Sequence, residues 1–254
     1  MNKFQHTFIF ALYVSCFNFC FATSQVDPLD SPSWESMHSK ILNNEPVIFD
    51  DRVQISMPDF AEDPMNVPVS VQVNNLENIE EIVIFADLNP IQKVLSFQPF
   101  HIKPYLSFRI KVEQSTPVRA AVRTSDGSWH VGGSWLEAAG GGCTAPSQGR
   151  AAGNWHETLM NVSSRSWIKN ELGRVRFRIM HPMDTGLADG IPEFYLEYFD
   201  VVDAGGSVLA KITTYQPISE NPVFTLDINK EILKPINLLG VDNNGNRLNA
   251  QIEN

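Results

Sequence analysis

The sequence has little of what most activities require. Three cysteines stand among 254 residues, at positions 16, 20 and 143. There is no G-x-S-x-G, no H-E-x-x-H, no C-x-x-C and no glycine loop of the phosphate-binding kind. Serine hydrolase, zinc peptidase, dithiol and nucleotide chemistries therefore have no recognisable start here. The six histidines stand singly, and His156-Glu157 is the one adjacent pair with any ligating character, so no metal site is expected. Lys and Arg do not form a run, and the formal net charge is -10. Nucleic acid and anionic membrane are thereby excluded as partners. Apart from the amino-terminal run, which is too short to cross a bilayer, no long apolar stretch occurs, and no membrane span is expected.

That run belongs to a leader. Lys3 precedes Phe8-Ile9-Phe10-Ala11-Leu12-Tyr13-Val14, and small Ala22 closes the segment. This is the pattern of a secretory signal peptide over residues 1–22, and it implies export. A lipoprotein leader modified at Cys16 fits poorly, because Tyr13 sits badly in its motif and apolar residues continue past the cysteine. Removing the leader takes away Cys16 and Cys20, so the exported chain keeps Cys143 alone and cannot close an internal disulfide. With a leader of bacterial type, the Asn161-Val162-Ser163 glycosylation pattern is a chance match.

What the chain does have is a core and strands. Apolar residues make up 43% of it. A short helix is expected from "SPSWESMHSKIL", with Ser31 as its cap, Pro32 in its first turn, and Trp34, Met37 and Ile41 on one face. His38 beside that face reads as a surface or half-buried residue. Val67, Val69, Val71 and Val73 then alternate with polar residues, and "EIVIFA" follows. Leu106, Phe108, Ile110 and Val112 alternate with Ser107, Arg109 and Lys111, which places Lys111 outward. A second block starts with Val175, Phe177 and Ile179 between arginines, continues through "EFYLEYFDVV" and "PVFTLDI", and reaches the Asn243-Asn244-Gly245 hairpin signal. Asp200 and Asp203, beside a turn, read as solvated. The fold class is all-β, two sandwiches in succession.

Between the blocks lies "EAAGGGCTAPSQGRAAGN", with five glycines and five alanines in eighteen residues. Neither strand nor helix favours that composition. Cys143 sits inside it after Gly140, Gly141 and Gly142, and nothing nearby in sequence can bury it. The expectation is an exposed sulfur on a flexible arm. No Lys, Arg or His lies within six residues, so an ordinary thiol pKa of about 8.5 is expected. Such a thiol suits a passive carrier activated by a partner better than a nucleophilic catalyst.

Two stretches resemble a known family pair. "VRAAVRTSDGSWHVGGSWLEAAGGGC" resembles the end of SoxY, the sulfur-carrying subunit of the thiosulfate-oxidising Sox system, whose arm is glycine-cysteine. "RVRFRIMHPMDTG", "KITTYQPISENPVFTL" and "VDNNGN" are similar to SoxZ, its partner, including the His-Pro-Met-(acidic)-Thr-Gly motif at His181, Pro182 and Met183. The order, SoxY then SoxZ, is that of the fused carriers associated with quinoprotein dehydrogenases. The resemblance implies two immunoglobulin-like sandwiches packed on each other within one chain. It also implies a periplasmic location, a substrate-carrying role for Cys143, and an arm formed by Gly140, Gly141 and Gly142. His181, Pro182 and Met183 are expected to be structural. Two departures weaken thiosulfate as the cargo: the arm is "GGGCTAP" where the family has a symmetric glycine frame, so Thr144 and Pro146 stiffen the far side, and the arm is internal rather than terminal.

The resulting division is leader 1–22, SoxY-like sandwich with its helix 23–136, cysteine arm and linker 137–172, and SoxZ-like sandwich 173–254. The expected function is a covalent carrier with no cofactor of its own. Its partners would be periplasmic redox enzymes, either Sox-type enzymes or a quinoprotein dehydrogenase with a c-type cytochrome. Two alternatives stand beside it. One is a two-sandwich adaptor that docks such an enzyme, its cysteine vestigial. The other is a thiol reductase, which the lack of a second, resolving cysteine disfavours.

Overall fold

The computed structural model describes residues 26–151, 154–229 and 235–252. The segment 1–22, expected to be a leader, lies outside them with Cys16 and Cys20. In the amino-terminal half, α1 (Trp34–Leu42) precedes β1 (Val47–Phe49), β2 (Val53–Ser56), β3 (Phe60–Ala61) and β4 (Val67–Val73). Then come β5 (Ile79–Ala86), β6 (Lys93–Gln98), β7 (Tyr105–Ile110), β8 (Thr116–Thr124) and β9 (Trp129–Ala138). Two one-turn helices, α2 (Gln148–Ala151) and α3 (Trp155–Thr158), lead to β10 (Val162–Lys169) and β11 (Leu172–Ile179). The chain ends with β12 (Leu196–Asp203), β13 (Val208–Thr214), β14 (Val223–Asn229), β15 (Ile236–Asp242) and β16 (Arg247–Ile252). The segment 137–172, expected to be arm and linker, thus contains a full strand, β10.

The all-β expectation holds, and the two halves are joined more intimately than by packing. One sheet has the strand order β1-β9-β8-β5-β6-β13-β12-β15-β16, with β3 added beside β9. The other runs β10-β11-β14-β7-β4-β2. Both cross from one half of the chain to the other. β6 pairs with β13 from Gln98↔Lys211 to Leu95↔Thr214, and β7 pairs with β14 at Ser107↔Thr225 and Leu106↔Leu226. The inward residues form one continuous core. Phe97 and Phe108 share it with Phe177, Phe199 and Phe224, whose three rings lie with centroids 5.0–5.7 Å apart.

Alternation explains most strands. β4 buries its four valines and turns Pro68 and Gln72 outward. β5 is apolar throughout because both its faces are covered: Ile82 and Ile84 enter the main core, while Val83 and Phe85 meet α1. α1 rests there on Trp34, Met37 and Leu42, with Ile41 half-buried. Its cap is Ser33 and not Ser31, whose hydroxyl instead accepts a bond from the Ser33 N–H. His38 stacks on Trp34 with 5.8 Å between centroids. Buried Arg119 ties the helix region to the sheet. Its guanidinium reaches Asp27 at 2.7 Å and Asp87 at 3.0 Å, and lies over the Trp34 ring. Asp203 is no bystander in its turn: one carboxylate oxygen accepts from the N–H groups of Gly205 and Ser207, both at 2.8 Å.

Candidate functional site

The cysteine segment begins where β9 ends at Ala138, beside the loop that leaves β7. That loop, Lys111-Val112-Glu113, does not continue the outward-inward alternation. The strand stops at Ile110, and both Lys111 and Val112 turn inward. Asn89 fixes the loop by donating to the Lys111 carbonyl and accepting from the Glu113 N–H, both at 3.0 Å.

The segment then lies across this loop. Gly142 N–H donates to the Val112 carbonyl at 3.0 Å. The Glu113 carboxylate accepts from the N–H of Cys143 at 3.0 Å, from the N–H of Thr144 at 3.1 Å, and from the Thr144 hydroxyl. From the other half of the chain, Thr185 Oγ1 donates to the Cys143 carbonyl at 2.6 Å. Downstream, the N–H groups of Gln148 and Gly149 each reach the Glu220 carboxylate at 2.6 Å.

Two glycines have distinct reasons to be there. Gly141 has φ +87°, and its α-carbon faces open space, so conformation alone demands glycine. Gly142 is a matter of room: a β-carbon there would stand 2.1 Å from the Pro64 carbonyl oxygen.

Cys143 is therefore buried, with 0% of its surface exposed, contrary to the exposed sulfur the local sequence implies. Its Sγ points to the Lys111 carbonyl at 3.6 Å. Burial, reinforced by the negative charge of Glu113, pushes the thiol up to about 12, against only partial relief from Lys111. The ordinary value read from the neighbouring sequence does not apply, because the neighbours that matter come from elsewhere in the chain. Lys111 is buried too, and its ammonium donates to the Met183 carbonyl. Desolvation brings it down to about 8, opposed by Cys143, Asp184 and Glu220.

The His-Pro-Met-Asp-Thr-Gly stretch supplies the opposing wall. His181 Nδ1 accepts from the Met183 N–H at 3.0 Å, and its Nε2 faces Asp242 at 3.4 Å. Desolvation lowers its pKa, so the ring is neutral and serves as a turn brace. Met183 takes φ +53° in that turn and aims its carbonyl at Lys111. The structural role expected for His181, Pro182 and Met183 fits this geometry. Thr185, two residues on, reaches Cys143 itself. Lys111, Glu113 and Thr185 were not visible as site residues in the sequence. The only hint was a lysine and a glutamate flanking Val112 where a strand should end.

In this arrangement the thiol cannot act while docked, since it is both shielded and protonated. Among the described residues no group of three His, Cys, Asp or Glu is placed to hold a metal ion, and no helix is long and apolar enough to cross a membrane.

Comparison with known families settles the broad class. The family of sulfur oxidation protein SoxY matches residues 38–143, and that of sulphur oxidation protein SoxZ matches residues 164–253. The chain is a SoxY–SoxZ fusion. The SoxY match ends on Cys143 itself, so the docked cysteine lies at the boundary of the SoxY half, while Thr185, which bonds its carbonyl, and Met183, which holds Lys111, come from the SoxZ half. The solved structure of the sulfur carrier protein SoxY from Chlorobium limicola f thiosulfatophilum is 21% identical, with a TM-score of 0.38 over 42% of this chain and 96% of that one. Comparison with curated proteins gives no significant match. SoxY and SoxZ domains together mark a carrier protein of sulfur oxidation.

Proposed function

We propose that this SoxY–SoxZ fusion is a periplasmic covalent carrier. Cys143 holds a sulfur-linked group of the thiosulfate type, or another thiol-linked group, while partner redox enzymes act on it. The observation that carries the reading is the manner in which Cys143 is held. Its segment is fixed by hydrogen bonds to Glu113 and Thr185 that a partner's polar groups can replace, and glycines precede it. Docked, the thiol is protected. Released, it regains an ordinary pKa and can be loaded.

Joining a thiol to thiosulfate makes one S–S bond and releases one proton and two electrons. The electrons need an acceptor, which this chain does not contain, so a partner must supply it. Sox-type enzymes, or a quinoprotein dehydrogenase with its c-type cytochrome, are partners of the right chemical class.

A second reading is favoured by the burial of Cys143: an adaptor that docks such enzymes while its cysteine is merely structural. Mass spectrometry on chain isolated from its native cells without reductant separates the two. The carrier should show an adduct on the peptide containing Cys143 that reductant removes, and Cys143→Ser should abolish turnover of the cargo. A bare thiol under every sulfur source, with full turnover by Cys143→Ser, would leave only the adaptor.

A further inference from the structure

The sequence shows no run of basic residues, but the fold gathers arginines from three strands. On β11, Val175, Phe177 and Ile179 point into the core, which turns Arg174, Arg176 and Arg178 to the outer face of the six-stranded sheet. The β10–β11 register then places Arg165 directly opposite Arg176, and Ser163 opposite Arg178. Arg109 comes from β7, two strands further along the sheet. These side chains surround an open groove of about 430 Å³ whose lining includes Arg109, Arg165, Arg176, Arg178, Ser163 and Val223, and no carboxylate.

Arg174 is satisfied, by Asp227 at 2.5 Å and by the ring of Tyr105. The other four arginines have no ion-pair partner among the described residues. A like-charged pair directly opposite on neighbouring strands is unfavourable. In a chain of net charge -10 it is also unexpected, since carboxylates are plentiful. An anion lying between the two guanidiniums would turn their repulsion into attraction, and the guanidinium fork matches the geometry of an oxyanion.

We propose that the Arg109, Arg165, Arg176 and Arg178 groove is a binding site for a tetrahedral dianion of the sulfate, thiosulfate or phosphate class. A small ion is favoured over an acidic protein. The ion meets the groove alone, within a screening length of about 8 Å, whereas a large acidic surface would also face the rest of a negatively charged molecule. The groove leads on to a second one, which shares Arg109, Arg178 and Val223 and is lined further by Gln148 and Glu220. Glu220 anchors the segment that follows Cys143. The dianion would thus be held on the path to the docked cysteine, but its binding does not depend on Cys143.

Titration of the full-length chain with sodium sulfate, sodium thiosulfate and sodium phosphate, at ionic strength held constant with sodium chloride, tests this. Amide chemical shifts in β10 and β11 should move saturably with at least one dianion and not with chloride. Arg165→Gln together with Arg176→Gln should weaken that binding at least tenfold, with the thermal midpoint unchanged or raised because a repulsive pair is gone. Cys143→Ser should bind as the wild type does, which keeps this site separable from the carrier reading. Saturation by phosphate alone, or by the sulfur oxyanions alone, identifies the source of the ligand. No saturable shift with any of the three, an unchanged affinity in the double variant, or binding of polyglutamate in place of the small ions overturns the proposal.

Discussion

Cys143 and Glu113 set the behaviour of the site between them. The thiol is raised from its ordinary value to about 12 in the docked state, by burial first and by Glu113 second. A raised value means that docking is at full strength below the released thiol's pKa of about 8.5, and is lost as pH rises from there towards 12, where the released thiol ionises and the docked one does not. Alkylation by iodoacetamide should therefore keep rising about tenfold per pH unit from pH 8 to 10.5, while a free cysteine peptide levels off near its pKa of about 8.5. A plateau at the peptide's value and rate would show that the cysteine is not docked. Replacing Glu113 with Gln removes the charge that strengthens three hydrogen bonds. A loss of roughly 1–2 kcal/mol should raise the labelling rate at pH 8 about 5–30-fold, and an unchanged rate would refute the latch. Cys143 and its glycines were legible in the sequence because composition marks them. Lys111, Glu113 and Thr185 were not, because they lie about 30 to 42 positions away and act only through the fold.

At the scale of elements, the arm is a docked strap whose glycines differ in what they tolerate. Gly142→Ala puts a β-carbon against the Pro64 backbone carbonyl, which cannot yield cheaply, so the strap should detach. Thiol labelling should then approach that of an open chain. Gly141→Ala meets no neighbour and bears only the strain of a positive φ, about 1–2 kcal/mol, so its labelling should lie between that of Gly142→Ala and wild type. Equal rates for both variants would mean that close approach to Pro64 does not hold the strap. Regular strands were read well from period two: β4 and β11 follow their alternation, and the Asn243-Asn244-Gly245 turn joins β15 to β16. β6, β10 and the short β1 to β3 were missed. β1 to β3 have only two to four residues each, too few for a pattern to register. β10 is a polar strand with serines and Arg165 in it, specified by its partner β11 and not by its own composition. Lys111 was misplaced because alternation was extended two residues past the end of β7, to Val112, where the backbone leaves the sheet.

For the whole molecule, the decisive feature is that both sheets run through the junction. Cutting the chain between Ala151 and Asn154 would bare β6 and β7 on one piece and β13 and β14 on the other. Each piece expressed alone should aggregate through those edges, and co-expression should restore a soluble pair. Two stable, monomeric pieces that ignore each other would contradict this. Pattern and resemblance gave the two sandwiches and their order, but the shared sheets were not legible, since pairing between distant strands leaves no local mark. The same pairing has a consequence in time. Gln98 pairs with Lys211, which leaves the ribosome 113 positions later. At roughly 5–20 residues per second, the first half waits on the order of 6–23 s with two unpaired edges before its complement exists. Because both halves share one chain, the complement then arrives tethered beside those edges, and closure does not wait on the concentration of a separate subunit.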